Sequence, residues 1–230
     1  RRLLLIRHGQ TTYNATGRMQ GHLDTELSEV GYTQARAAAD LLEDKDITAI
    51  VASDLTRART TADIIGERLG IPVDVDKRLR ETHLGEWQGM TSAEVDKQFP
   101  GARALWRHDP TWAPPHGESR VDVANRARPV IDELMRDHPE WDNGAVLVVA
   151  HGGAISALTC HLLALEHHQY GILSGLKNTH WSQLTARPEF DAARPLSPLE
   201  FTPENVDRAQ WYFDGWNMGG HVVGGAGADV

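Results

Sequence analysis

Leu3-Leu4-Leu5-Ile6-Arg7-His8-Gly9 near the N-terminus and Val146-Leu147-Val148-Val149-Ala150-His151-Gly152-Gly153 far downstream share one pattern. Each is an apolar run of strand length that ends in a histidine and a glycine. Runs that are apolar on both faces mark strands buried in a parallel sheet. If the two are neighbours in one sheet, both histidines stand at strand carboxyl ends, where open α/β folds place their ligand crevice. Two imidazoles beside Arg7 form a pocket for a tetrahedral anion, with one ring free to act as nucleophile. A single His-Gly after a strand is commonly just a turn, so the remainder of the chain has to decide.

Working outward, Ile47 to Ala52 and Val73 to Val75 read as further strands, and Trp181 to Thr185 and Gln210 to Phe213 as late ones. Ser28 caps a helix whose apolar positions recur from Leu27 to Leu42. Ser53-Asp54 caps another that runs to about Leu69, with Gly70 at its end. Thr91 and Glu94 form a capping box for a short helix before Pro100, and Ser119 with Asp122 opens a long one to about Asp137. A last helix is expected from about Gly153 to Leu165. Arg7 to Glu26 reads as loop, and the Trp- and Pro-rich Gly101 to Gly117 as an irregular lid. The order predicts an α/β three-layer sandwich with a mostly parallel central sheet and a helical and loop lid insertion at about 91–118. Residues 1–218 are read as a single domain, and 219–230 as a glycine-rich tail, flexible or held by a partner chain.

The bulk composition narrows the partners. The chain has 230 residues, 40% hydrophobic and 24% charged, with one cysteine and a net charge of −9. That charge argues against nucleic-acid binding. No apolar run approaches the roughly 20 residues needed to span a bilayer, and Arg1-Arg2 leads straight into a strand, so neither a membrane segment nor a signal peptide is expected. The lone Cys160 lies in an apolar helix and excludes an internal disulfide. These features together predict a cytoplasmic location. An anionic substrate would have to be drawn in by local cations rather than by the overall field.

The strand ends supply those cations. They bring Arg7 and His8, Arg57 in the first turn of a helix, Arg80-Glu81, and His151 to one end of one sheet. Arg7 and Arg57 can clamp phosphoryl oxygens with planar, bidentate donors. His8 can attack phosphorus through one ring nitrogen while a backbone carbonyl holds the other. His151 can donate to an equatorial oxygen. Glu81 can protonate the leaving alkoxide and then activate water. Asn14 and the Gly152 N–H complete the cradle. Taken singly each has a plainer alternative: Arg57 a solvated helix charge, Glu81 a surface carboxylate, His83 a loop cap. No His/Asp/Glu set is spaced like a metal site, and neither metal nor cofactor is expected.

Arg7-His8-Gly9-Gln10-Thr11-Thr12-Tyr13-Asn14 resembles the opening signature of the histidine phosphatase, or phosphoglycerate mutase-like, superfamily. Gln20-Gly21 to Gly31, Ser53 to Ala62, Arg80-Glu81 with Gly85 and Gly89, Gly117-Glu118-Ser119 and His151-Gly152 resemble its later blocks in order. The resemblance implies a phosphohistidine at His8, phosphate contacts from Arg7, Arg57 and His151, and Glu81 as proton donor. Cofactor-dependent mutases of the superfamily carry Glu where this chain has Gln10. They also carry a long insertion with paired arginines after the catalytic Glu, which is absent between Glu81 and Gly117. A phosphatase is therefore favoured. Glu81 to Gly89, Trp106-Arg107, Thr111 to Pro114, Gly117 to Ala124 and Trp181 to Leu184 are most similar to the actinobacterial glucosyl-3-phosphoglycerate phosphatases. That similarity implies release of phosphate from a glycosylated phosphoglycerate, a step towards methylglucose lipopolysaccharide, by a homodimer. Such a substrate adds a carboxylate and sugar hydroxyls, for which Thr11, Gln20, Gly21 and His83 are candidates. Trp106 or Trp112 is the candidate to stack on the sugar face, with core packing as the alternative. The competing readings are a broad-specificity phosphatase, a phosphoglycerate mutase, and a non-catalytic phospholigand-binding protein.

Overall fold

The computed structural model describes residues 1–193 and 200–220. The alternation of buried runs and capped amphipathic helices gives, in chain order, β1 (Arg2–Arg7), α1 (Thr12–Ala15), α2 (Glu29–Leu42), β2 (Ile47–Ala52), α3 (Thr56–Leu69), β3 (Val73–Val75), α4 (Ser92–Gln98), α5 (Ala102–His108), α6 (Arg120–Asp137), β4 (Ala145–Ala150), α7 (Gly152–Leu162), β5 (Trp181–Arg187) and β6 (Gln210–Met218). The strands form one sheet in the order β3-β2-β4-β1-β5-β6. β3, β2, β4 and β1 run parallel, while β5 is antiparallel to both β1 and β6.

The condition set by the sequence, that β1 and β4 be neighbours in one parallel sheet, is met: Leu3 pairs with Val146 and Arg7 with Ala150. Their alternating side chains feed two cores. Leu3, Leu5, Val146 and Val148 pack with Ala127, Ile131, Ile155 and Leu158 of α6 and α7. Leu4, Ile6, Leu147 and Val149 pack with Ala38, Leu42, Ala62 and Ile65 of α2 and α3 on the other face. That is why Leu3-Leu4-Leu5-Ile6 of β1 and the whole of β4 are apolar on both faces.

Four expectations need correction. Thr12 to Ala15, inside the stretch read as loop, makes one helical turn, because Thr11 and Asn14 form a reciprocal capping box. The stretch read as an irregular lid contains α5, which follows Gly101 in a left-handed turn at φ 79°. α7 stops at Leu162 rather than Leu165, and Ala164 is already left-handed. β6 runs five residues beyond Phe213, to Met218, through register shifts against β5. The expected tail lies, apart from Gly219 and Gly220, outside the described residues.

The insertion has its own small core. Trp87 is fully buried and packs against Trp106 and Trp112 with ring centroids 5.8 and 5.5 Å away, over Met19, Leu84 and Val95. Trp87→Ala should leave a cavity and lower stability by about 3–5 kcal/mol. A urea midpoint shift measures it, and an unchanged midpoint would mean that this cluster is not load-sharing with the main sheet.

Candidate active site

At the carboxyl end of β1, His8 is 2% exposed. Its Nδ1 lies 2.7 Å from the Gly9 carbonyl oxygen. A carbonyl only accepts, so Nδ1 carries the proton and Nε2 keeps a lone pair. Burial, and then the neighbouring Arg57 and Arg7 charges, hold this imidazole well below the ordinary histidine value of 6.5. The nucleophilic nitrogen is thus unprotonated at neutral pH. The chain leaving His8 presses against α2: a Cβ on Gly9 would sit 2.5 Å from the Gly31 carbonyl oxygen, so both strand exit and helix start require glycine.

Two arginines flank the ring. Arg7 donates from Nη1 to the Leu176 carbonyl at 2.6 Å. Arg57, 1% exposed, donates to the Gly21 and Leu23 carbonyls at 2.7 Å each. Burial pushes Arg57 down to about 10, which leaves it charged. The Nε atoms of both arginines are buried without a partner among the described residues. Such unpaired buried donors are costly and mark where an anion is stabilised.

His151, fully buried, sets its ring 5.2 Å from that of His8 in an edge-on arrangement. Burial, with Arg57 next, lowers it well below 6.5. Glu81 lies at the N-terminus of α7. Its Oε1 accepts from the Ala154 N–H at 2.9 Å and the Thr82 N–H at 2.7 Å, and its Oε2 from the Gly153 N–H at 3.1 Å. The backbone around Glu81 is itself clamped. Arg126 donates to the Arg78, Arg80 and Glu81 carbonyls at 2.7–2.9 Å and forms a two-point pair with Glu118. Sequence reasoning missed Arg126; its spacing in a helix resembles that of any solvated arginine.

A cavity of about 590 Å³ opens here, lined by Arg7, His8, Asn14, Arg57, Glu81 and Gly152 from the expected phosphate site and by Gln20 and Gly21 beside it. Asn14 Oδ1 accepts from the Thr11 N–H at 3.1 Å and from Asn178 Nδ2 at 3.4 Å, which leaves its own Nδ2 for the cavity. Gln20 Oε1 takes the Thr11 and Thr25 hydroxyls, which turns its amide nitrogen outward. Three candidates are not among the lining residues. His151 is fully buried and lies against the ring of His8 rather than on the cavity wall. Thr11 is fully buried beneath Gln20 and does not line the cavity. His83 does not line it either; its Nδ1 accepts from the Gly85 N–H at 3.0 Å and its ring faces His22, which makes it the loop cap of the plainer reading. Trp112 packs behind Trp87, whereas Trp106 reaches the cavity. The wall also carries Arg18, Arg107 and Arg120 and residues of the segment Gly171–Leu176, none of which the sequence reading assigned to the site. Among the described residues no group of three or more His, Cys, Asp or Glu is disposed to hold a metal, and no helix is long and apolar enough to cross a membrane.

A buried histidine between two arginines, faced by a second histidine and a carboxylate, is chemically suited to hold a phosphoryl group, and the chain belongs to the histidine phosphatase superfamily (branch 1), whose pattern residues 3–194 match. It is a hydrolase of the phosphatase type. The chain is 49% identical over 227 residues, 96% of each protein, to the glucosyl-3-phosphoglycerate phosphatase of Mycobacterium tuberculosis H37Rv. It is 47% identical, over 97% of each, to that of Mycolicibacterium vanbaalenii. The mycobacterial glucosyl-3-phosphoglycerate phosphatase solved in complex with VO3 superposes with a TM-score of 0.85 at 49% identity, over 95% of this chain and all of that one.

Proposed function

We propose that the chain hydrolyses glucosyl-3-phosphoglycerate to glucosylglycerate and phosphate through a phosphohistidine at His8, without a metal. The observation that carries the mechanism is the His8 Nδ1–Gly9 carbonyl contact between Arg7 and Arg57. It orients the Nε2 lone pair, while Arg7 and Arg57 supply fixed positive charge for the phosphoryl oxygens. His8 Nε2 forms a bond to phosphorus as the ester P–O bond breaks, and Glu81 gives its proton to the departing alkoxide. Water then attacks the phosphohistidine, Glu81 takes the water proton, and the N–P bond breaks to return neutral His8.

The substrate assignment rests on the two mycobacterial relatives, and the cavity chemistry supports it. Five arginines line the cavity against one carboxylate, Glu81. Arg7 and Arg57 suffice for a phosphoryl dianion, so Arg18, Arg107 and Arg120 suit a second anionic group such as the glycerate carboxylate. Arg120 stacks over Trp106, with its guanidinium carbon 5.6 Å from the ring centroid, and donates to the Trp106 and Arg107 carbonyls. Arg120→Met should raise KM about tenfold or more for glucosyl-3-phosphoglycerate and leave p-nitrophenyl phosphate nearly unchanged, since losing a charged hydrogen bond costs roughly 1.5–3 kcal/mol.

The experiment for the whole reading is phosphate release from glucosyl-3-phosphoglycerate, 3-phosphoglycerate and p-nitrophenyl phosphate with EDTA present. Strong preference for the glucosylated substrate is expected. Equal rates would reduce the reading to a broad phosphatase, and no turnover would favour a phospholigand-binding protein. A homodimer in the cytoplasm, serving methylglucose lipopolysaccharide synthesis, completes the proposal. The edge strand β6, with Tyr212 and Phe213 exposed, supports self-association, and sedimentation velocity tests it.

A further inference from the structure

We propose that Ser53 is a positioning residue that fixes His151 as the tautomer protonated on Nδ1. The inference rests on the phosphohistidine reading of the site. Ser53 follows β2 and looks from the sequence like the N-cap of α3. It does not serve as one: the N-cap position is Leu55, without a side-chain cap. The capping is done from a distance by Asp24, whose carboxylate accepts from the Thr56 N–H at 2.7 Å and the Thr56 hydroxyl at 3.0 Å. Asp24 thereby releases Ser53 for another partner.

That partner is His151. Ser53 is fully buried, and its Oγ lies 2.8 Å from His151 Nε2. The only other contact of Oγ among the described residues is the Leu55 N–H, which donates to it at 3.3 Å. A hydroxyl has one proton to give. If His151 were protonated on Nε2, Ser53 Oγ would receive two N–H donors while its own proton had no acceptor in a buried site. If Ser53 donates to Nε2, all three groups are matched. The imidazole is neutral at neutral pH, so its one N–H must then be on Nδ1.

The consequence lies on the other side of the ring. His151 Nδ1 is buried and has no partner among the described residues. It belongs to a ring packed against His8, with Arg7 and Arg57 nearby. With the proton on Nδ1, this nitrogen offers a donor to a phosphoryl oxygen. With the other tautomer it would offer a lone pair to an anion and repel it. A ready-made donor that needs no proton rearrangement is most valuable as charge shifts in the transition state.

Long-range proton–nitrogen NMR of histidine-labelled protein tests this, with His151 assigned by the signal lost in His151→Gln. The expected result is a protonated Nδ1 and an unprotonated Nε2 in the resting enzyme. A protonated Nε2 in the unaltered protein overturns the proposal, whatever any variant does. In Ser53→Ala the tautomer preference should weaken, kcat should fall about tenfold, and vanadate inhibition should weaken by a similar factor with KM little changed. Complete loss of a comparable donor would cost about 10²–10³-fold. If Ser53→Ala folds and keeps both kcat and vanadate inhibition, Ser53 has no positioning role. The functional reading has a separate test: absence of a trapped phosphoenzyme in the unaltered protein would remove it, while the tautomer spectrum would stand.

Discussion

His8→Ala is expected to abolish turnover, by at least about 10⁴-fold in kcat/KM. Every other part of the site is arranged around the Nε2 of this ring. Arg7, Arg57 and His151 stabilise charge, yet none of them presents a nucleophile: the arginines stay charged, and His151 Nε2 is occupied by Ser53. Water entering the space left by the imidazole would have to attack phosphorus without an oriented base, because Glu81 is held at the N-terminus of α7. Acid-quenched reactions with labelled substrate give a direct check, since the unaltered protein should yield an acid-labile phosphoenzyme and the variant none. Retention of more than a hundredth of the activity would rule out the covalent route. The lowered proton affinity of His8 adds a pH signature. Protonation of the nucleophile should depress activity only well below pH 6.5, because burial and the two arginines disfavour the charged ring.

Glu81→Gln should lower kcat for the alkyl phosphate by about 10²–10⁴-fold, the usual worth of a general acid–base group. Glutamine keeps the size and one carbonyl oxygen for the Gly153 or Ala154 N–H, so the loop should hold its place. The loss should depend on the leaving group. A sugar-acid alkoxide needs a proton as it departs, whereas p-nitrophenolate is a stable anion, so phosphoenzyme formation from p-nitrophenyl phosphate should suffer far less. Pre-steady-state bursts with the two substrates separate these effects. An equal loss for both, together with lost vanadate binding, would show that Glu81 supports the structure rather than transferring protons.

Much of this site is legible in the sequence because β-α units repeat their geometry. Two apolar runs ending in His-Gly predicted a shared sheet end, and the β1–β4 register puts His8 and His151 there. Capping boxes at Thr91–Glu94 and Ser119–Asp122 were likewise readable, since the partners are three residues apart. What escaped depends on distant partners. Ser53 looked like a cap because nothing local indicates that Asp24, thirty-two positions before the Thr56 N–H it accepts from, takes over that duty. His83 looked like a ligand because it follows Glu81, but its ring is claimed by the Gly85 N–H. The wall of Arg18, Arg107 and Arg120 comes from a loop, the insertion and a helix start, and no periodicity links them. Lengths of late strands escaped for a similar reason: β6 is held by pairing with β5 through bulges, not by its own alternation.

The position of β4 has a consequence for how the molecule is made. β4 lies between β1 and β2, yet it follows them by about a hundred residues or more in the chain. Closing so long a loop costs entropy before any contact repays it, which slows folding. On the ribosome, β1 and β2 emerge long before the strand that joins them, each with an open edge and an apolar run, Leu3-Leu4-Leu5-Ile6 in one and Ala49-Ile50-Val51-Ala52 in the other. Such edges invite pairing with other chains. Until β4 inserts, His8 and His151 belong to unconnected pieces of chain and the arginine-rich crevice does not exist. The arrival of β4 thus closes the gap between β1 and β2 and brings His151 beside His8 in a single event, before β5, β6 and the Gly171–Leu176 wall are added.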